Sequence, residues 1–73
     1  MAINEASPVE VNARGMKCPW PALRAARAMR EAEAILIEAD DPIAATELAA
    51  LAQANGWSFA RLDDHCFAMS RHV

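Results

Sequence analysis

The pattern of apolar and polar residues predicts four strands. Residues 8–12 alternate apolar and polar side chains, which is typical of a short strand. Residues 34–39 form a compact apolar run that predicts a buried central strand. Residues 57–62 and 65–71 predict two further strands, and the turn at Asp63-Asp64 between them makes the pair a hairpin.

Two helical segments separate the first three strands. Residues 19–31 are rich in alanine and place apolar side chains at three-and-four spacing, so Leu23 and Met29 are predicted to face the core. Residues 42–54 predict a second helix with a broad apolar surface. Asn55-Gly56 is a signal for a left-handed cap that ends this helix.

This order of elements, β-α-β-α-β-β, predicts an α/β (α+β) fold. We expect a two-layer sandwich with a four-stranded mixed sheet, because two helices cannot cover both faces of such a sheet and therefore lie on one. Residues 1–73 are predicted to form a single domain, with residues 1–7 frayed at its start. A chain of this length has no room for a deep active site, so a functional site is expected at the surface and completed by a partner.

Charge is distributed unevenly along the chain. Residues 11–30 contain five cations and no acid, whereas the remaining residues contain two cations and ten acids. The basic segment is either a solvated helix face or a surface for an acidic partner or an anion. No apolar run approaches the ~18 residues of a membrane span, and the N-terminus has no signal-peptide pattern, so we expect a cytoplasmic protein without membrane contact.

Cys18 has the most distinctive surroundings. Residues 14–21 (Arg-Gly-Met-Lys-Cys-Pro-Trp-Pro) place it between cations and prolines, immediately before the first helix. The unpaired N–H groups and the positive dipole end of a helix N-terminus favour a sulfur anion, and Arg14 and Lys17 would stabilise it further. We therefore predict that Cys18 caps the helix and that its thiol pKa is lowered.

The neighbours of Cys18 are predicted to shape this site and to extend it toward a partner. Gly15 can take backbone angles that other residues avoid, while Pro19 and Pro21 are tolerated in a first helical turn and would keep it rigid. Trp20 either covers the edge of the core or lies exposed as an aromatic anchor for docking. A cationic ridge on the same helix consists of Arg24, Arg27 and Arg30. Arg24 and Arg27 are predicted to orient a partner.

Redox and metal chemistry are both disfavoured by the spacing of the candidate residues. A Cys-x-x-Cys motif needs a second cysteine at position 21, which is proline. Cys66 is the other cysteine, and on a strand it is expected to be a packed small residue. Together with Cys18, the residues His65, Cys66 and His72 match no zinc motif, so we expect no metal or cofactor.

Two stretches resemble a known family. Residues 12–21, with their Cys-Pro-x-Pro core, resemble the N-terminal signature of the TusA/SirA-like sulfur carrier family, and residues 39–42 (Ala-Asp-Asp-Pro) resemble its second fixed stretch. The resemblance implies a persulfide sulfurtransferase that acts as a stoichiometric carrier, with the sulfur on Cys18. A cysteine desulfurase or rhodanese would donate the sulfur, and an acceptor protein would take it for tRNA thiolation, molybdenum cofactor assembly or sulfur oxidation.

The sequence also departs from the family pattern. Asn12 and Glu47 each stand where an Asp is common, and the link at residues 31–33 is shorter than usual. The alternative function is a non-catalytic regulatory or binding module that docks through the basic first helix to an acidic partner or RNA. RNA is disfavoured because the interleaved aromatics and overall positive charge of such binders are missing. We expect a monomer, since the active sulfur must be exposed.

Overall fold

A computed structural model describes residues 8–71 of the chain. The elements in chain order are β1 (Val9–Asn12), α1 (Trp20–Glu31), β2 (Ala34–Glu38), α2 (Ala44–Asn55), β3 (Ser58–Asp63) and β4 (Cys66–Ser70). The predicted order of elements is confirmed. The expectations for residues 1–7 and for His72 lie outside the described residues.

The strands form a mixed sheet in the order β1-β2-β4-β3. β1 and β2 are parallel, with Val9 opposite Ile35, and α1 connects them. β4 is antiparallel to both of its neighbours and forms the predicted hairpin with β3. The sheet and the two helices confirm the predicted α+β sandwich.

One face of the sheet carries the core. In β2, Ile35 and Ile37 are fully buried while their neighbours are not, and in β4 the same alternation buries Phe67 and Met69. Because side chains alternate between the faces of a strand, these four residues lie on one face. They belong to one core cluster with the buried residues of both helices, which include Met29 of α1.

The buried face of α1 differs from the predicted one. Pro21, Ala25 and Met29 are buried at intervals of four residues. Leu23, which was expected to face the core, is 51% exposed. At 100° per residue it lies about 200° around the helix from Pro21, so it points away from the sheet. The three-and-four spacing identified the helix and the burial of Met29 correctly but was wrong for Leu23.

The C-terminus of α1 is held by Arg71, a residue that the sequence analysis did not identify. The Arg71 guanidinium donates hydrogen bonds from Nη2 to the carbonyl oxygens of Met29 at 2.7 Å and Ala32 at 2.9 Å. The Arg71 backbone N–H also donates to the Glu33 carbonyl at 2.7 Å. A cation at this position satisfies carbonyls that the helix leaves without partners. The short link after α1 is thus fixed by the end of β4.

Helix α2 ends as predicted. Gly56 has a φ of 74°, and its N–H donates to the carbonyls of Ala52 and Gln53. Beyond this left-handed cap, Trp57 and Phe59 pack half-buried against the core. Within residues 8–71, neither helix has the length and apolar character needed to cross a membrane.

Candidate functional site

The site lies where β1 and β2 end. Parallel strands run in the same direction, so the segments that leave their carboxyl ends meet at one edge of the sheet. Asn12 at the end of β1 is paired with Glu38 at the end of β2. The next residue, Ala13, donates its N–H to the Glu38 carbonyl at 2.8 Å. The loop at residues 14–18 therefore meets the segment at residues 38–41.

Three carboxylates from residues 38–41 accept hydrogen bonds from the loop at residues 14–18. We call Glu38, Asp40 and Asp41 the carboxylate clamp. Glu38 accepts a hydrogen bond from Arg14 Nε at 2.9 Å, Asp40 from the Gly15 N–H at 3.0 Å, and Asp41 from the Cys18 N–H at 3.0 Å. The clamp fixes the loop at three points along its length. Gly15 has a φ of 82° within it, which confirms the predicted need for glycine.

Asp41 joins the loop to the start of α2. While its Oδ2 accepts from Cys18, its Oδ1 accepts the Ile43 N–H at 2.9 Å. The pKa of Asp41 is lowered, first by the bond from Ile43, then by that from Cys18, with a smaller contribution from the charge of Lys17. A carboxylate that accepts two backbone N–H groups is held in its ionised form. One side chain thus positions both Cys18 and the second helix.

Cys18 stands just outside α1 rather than capping it. The helix begins at Trp20, and its cap residue is Pro19, with no side chain bonded to the cap. A turn in which the Trp20 N–H donates to the Lys17 carbonyl at 2.8 Å precedes the helix and moves Cys18 out of it. The Cys18–Pro19 peptide bond is cis. The predicted capping role is wrong, although the thiol is free and exposed as a surface site requires.

The sulfur of Cys18 contacts an acid, not a cation. Cys18 Sγ donates a hydrogen bond to Glu47 Oε2 at 2.7 Å. The pKa of the thiol is raised, mainly by this bond and then by burial and by the charges of Glu47 and Asp41. The prediction of a lowered pKa is therefore wrong. Arg14, which was expected to stabilise the anion, is paired with Glu38 instead.

Sequence reasoning missed Glu47 and the clamp because their positions are distant along the chain. Cys18 is 23 residues from Asp41 and 29 residues from Glu47. The basic composition of residues 11–30 described local neighbours only. A usable signal was present, since acids that follow a strand parallel to β1 must approach the loop after β1.

Four exposed residues form one stripe along α1. They are Trp20, Leu23, Arg24 and Arg27, at spacing i, i+3, i+4 and i+7, and we call them the exposed stripe. Trp20 is 59% exposed, so it does not cover the edge of the core. The stripe begins two residues after Cys18, with its apolar residues first and its cations after them.

Cys66 lies on the face of the sheet opposite the core, because it alternates with the buried residues Phe67 and Met69 of β4. It is half-buried and borders a surface depression together with Glu10 and Glu38. Burial and the neighbouring acids raise the pKa of its thiol. Among residues 8–71, no three histidine, cysteine or acidic side chains are grouped so that they could hold a metal ion.

Comparison with known proteins identifies the family. The family model described as sulfurtransferase TusA matches residues 9–67, which include the whole site. The chain belongs to the TusA sulfurtransferase family. Membership in the TusA family implies a sulfur carrier that acts in a sulfur relay.

The TusA-family chain also shares its fold with a solved structure. The crystal structure of a SirA-like protein from Desulfitobacterium hafniense matches it with a TM-score of 0.71 and 24% sequence identity, over 84% of this chain and 90% of that one. At this identity the likeness concerns the fold alone. A search of curated proteins found no match.

Proposed function

We propose that the chain carries sulfane sulfur as a persulfide on Cys18, accepts it from a donor protein and passes it to an acceptor protein. The observation that supports this most directly is the free, exposed thiol of Cys18 in a chain of the TusA family. The clamp fixes the backbone of Cys18, so partners would meet the sulfur in one place. We further propose that the carrier acts as a monomer in the cytoplasm, where reducing conditions keep thiols free.

The proposed loading step is a thiol exchange that needs no external oxidant. Cys18 Sγ attacks the terminal sulfur of a donor persulfide, a new S–S bond forms on Cys18, and the S–S bond of the donor breaks. The donor sulfur leaves as a thiolate and takes up the proton that Cys18 loses. Because the raised pKa keeps most of the Cys18 thiol protonated at neutral pH, the proton must leave as the attack begins.

The exposed stripe is the proposed docking surface for the donor and the acceptor. Trp20 and Leu23 offer exposed apolar area, and Arg24 and Arg27 continue it with positive charge. Buried aromatic residues and arginines contribute most of the binding energy in many protein interfaces. A matching partner surface would be apolar near its own sulfur and acidic beyond it. Cysteine desulfurases and rhodaneses are the proposed donors, and tRNA thiolation, molybdenum cofactor assembly and sulfur oxidation are the proposed destinations.

A sulfur-loading assay tests the proposal. The protein is incubated with a cysteine desulfurase and cysteine, or with a rhodanese and thiosulfate, and its intact mass is measured. We expect a gain of one sulfur atom that reductant removes, retained in Cys66→Ser and lost in Cys18→Ser. Absence of the adduct with both donors, or equal loading of Cys18→Ser, would contradict the carrier function.

The same variants separate the carrier from a binding module. A module that docks through the basic helix would keep its cellular phenotype in Cys18→Ser and lose it when Arg24 and Arg27 are replaced by Glu. A carrier would lose its phenotype in Cys18→Ser while that variant still captures the same partners in a pulldown.

A further inference from the structure

We propose that Glu47 biases Cys18 toward giving sulfur away, because its carboxylate stabilises the empty carrier and destabilises the loaded one. The inference rests on the proposed carrier function and concerns the energetics of its site. It starts from the 2.7 Å contact between Cys18 Sγ and Glu47 Oε2. Glu47 lies in the first turn of α2, half-buried, on a helix whose start is tied to Cys18 through Asp41.

In the empty carrier the contact is attractive. Two anions would not remain at this distance, so one proton lies between the sulfur and the carboxylate. A thiol is a far weaker acid than a carboxylic acid, so the proton belongs to the sulfur and the carboxylate accepts the bond. A hydrogen bond to an ionised acceptor is stronger than one between neutral groups. Glu47 therefore favours the sulfur-free thiol.

Loading removes this attraction and replaces it with repulsion. In the persulfide, Cys18 Sγ is bonded to carbon and to the second sulfur, so it carries no proton to donate. A persulfide is a stronger acid than its parent thiol, and the terminal sulfur is therefore the more readily ionised. With an S–S bond of about 2 Å, that anion stays near the Glu47 carboxylate unless the side chain turns away.

Other charges near the sulfur do not reverse this balance. Asp41, in the segment between β2 and α2, adds a second negative charge that acts on Cys18. Lys17, on the same loop as Cys18, acts on Asp41, and Arg14 is paired with Glu38. The net local field is negative, so transfer of the sulfur to an acceptor relieves repulsion and restores the thiol contact.

The exchange equilibrium with a small thiol tests the inference. The carrier is equilibrated with glutathione persulfide and glutathione, and the loaded fraction is read from the intact mass. Each exchange conserves one thiol proton and one sulfane sulfur on the two sides. We compare Glu47→Gln, which keeps the size of the side chain and removes its charge, with Glu31→Gln, which makes the same change at the far end of α1.

We expect Glu47→Gln to shift the exchange constant toward the loaded form by about fourfold, from two charges some 5 Å apart in water. Glu31→Gln should match the original chain. A Glu47→Gln constant equal to the original, or shifted the other way, would overturn the inference while leaving the carrier function intact. Failure of the original chain to load from any persulfide would overturn the carrier function and, with it, this inference.

A measurement on the original chain tests the inference without depending on the folding of a variant. The side-chain carboxyl carbon of Glu47 is followed by ¹³C NMR in the thiol and persulfide forms of the original chain. We expect its signal to change on loading, because the contact with Cys18 is lost. An unchanged Glu47 signal beside a confirmed persulfide would overturn the inference.

Discussion

Asp41 accepts the backbone N–H of Cys18 at 3.0 Å and so ties the reactive loop to the start of α2. The pKa of Asp41 is lowered by its bonds to Ile43 and Cys18. A carboxyl whose pKa is lower in the folded state stabilises the fold above its unfolded pKa, and this contribution is lost as the pH falls through the folded pKa. Its protonation therefore loosens the site and destabilises the chain together.

The first prediction is that Asp41→Asn lowers the melting temperature at neutral pH and that the difference from the original chain shrinks under acid. Above about pH 5 the unfolded carboxyl is fully ionised, so the difference should be constant there. Below about pH 4 it should diminish, because the unfolded carboxyl takes up a proton there before the folded one does, and it should vanish once Asp41 of the folded chain is protonated too. Thermal melts from pH 2 to 8 measure both the constant difference at higher pH and its decrease in acid. Glu31→Gln, which alters an exposed acid at the far end of α1, is the control, and an equal loss in both variants would contradict the assignment.

The fold could be predicted from the sequence to the extent that it depends on local periodicity. The compact apolar run at residues 34–39 predicted β2, and Asn55-Gly56 predicted the end of α2. The position of β4 between β2 and β3 depends on long-range pairing, which no local pattern encodes. The burial of Leu23 was misjudged because Pro21, Ala25 and Met29 fit against the sheet instead.

The site also combines features that the local sequence predicts with features that depend on long-range contacts. Cys18 and its motif were found because they are contiguous in the chain. Their electrostatic environment was not found, because Asp41 and Glu47 reach the sulfur only once β1 and β2 lie side by side. A cation near a cysteine in sequence thus indicates little about its pKa when the fold can supply acids from elsewhere.

The second prediction concerns Arg14 and the reactivity of the sulfur. Arg14→Gln should leave the pH profile of Cys18 alkylation close to that of the original chain, because the guanidinium is bound to Glu38 and does not contact the sulfur. Glu47→Gln should move the same profile to lower pH, since it removes the charge that holds the thiol protonated. For each unit that the pKa falls, more of the thiol is present as thiolate at neutral pH, but each thiolate is a weaker nucleophile. Alkylation at neutral pH should therefore be only about threefold faster.

Iodoacetamide labelling in a Cys66→Ser background, at pH values from 6 to 10, gives both profiles for Cys18 alone. A large shift of the profile in Arg14→Gln would show that this cation acts on the sulfur after all. An unmoved profile in Glu47→Gln would show that the short contact has no influence on the thiol.

The third prediction is that Arg71→Ala destabilises the fold by about 1–3 kcal/mol, because two carbonyls at the end of α1 lose a charged donor. Arg71→Lys should recover part of the loss, since a lysine retains the charge but not the planar geometry. Arg30→Ala, which removes an exposed cation from the last turn of α1, should change the free energy of unfolding by less than about 0.5 kcal/mol. Urea denaturation measures all three, and equal effects of Arg30→Ala and Arg71→Ala would contradict the capping role.

The last prediction uses the two tryptophans as a matched pair. Trp20 is 59% exposed in the exposed stripe, whereas Trp57 packs half-buried against the core. Trp20→Ala should therefore leave the free energy of unfolding nearly unchanged and weaken binding to a sulfur donor by about 2 kcal/mol, as expected for an aromatic anchor at an interface centre. Trp57→Ala should instead destabilise the fold by about 1–3 kcal/mol and leave donor affinity intact wherever the variant is folded.

Denaturation and titration calorimetry with a cysteine desulfurase separate the two effects. If Trp20→Ala binds its donor normally, the docking surface does not lie on α1. Since the stripe starts two residues after Cys18, that result would also require the donor to approach the sulfur from the side of α2, where Glu47 lies.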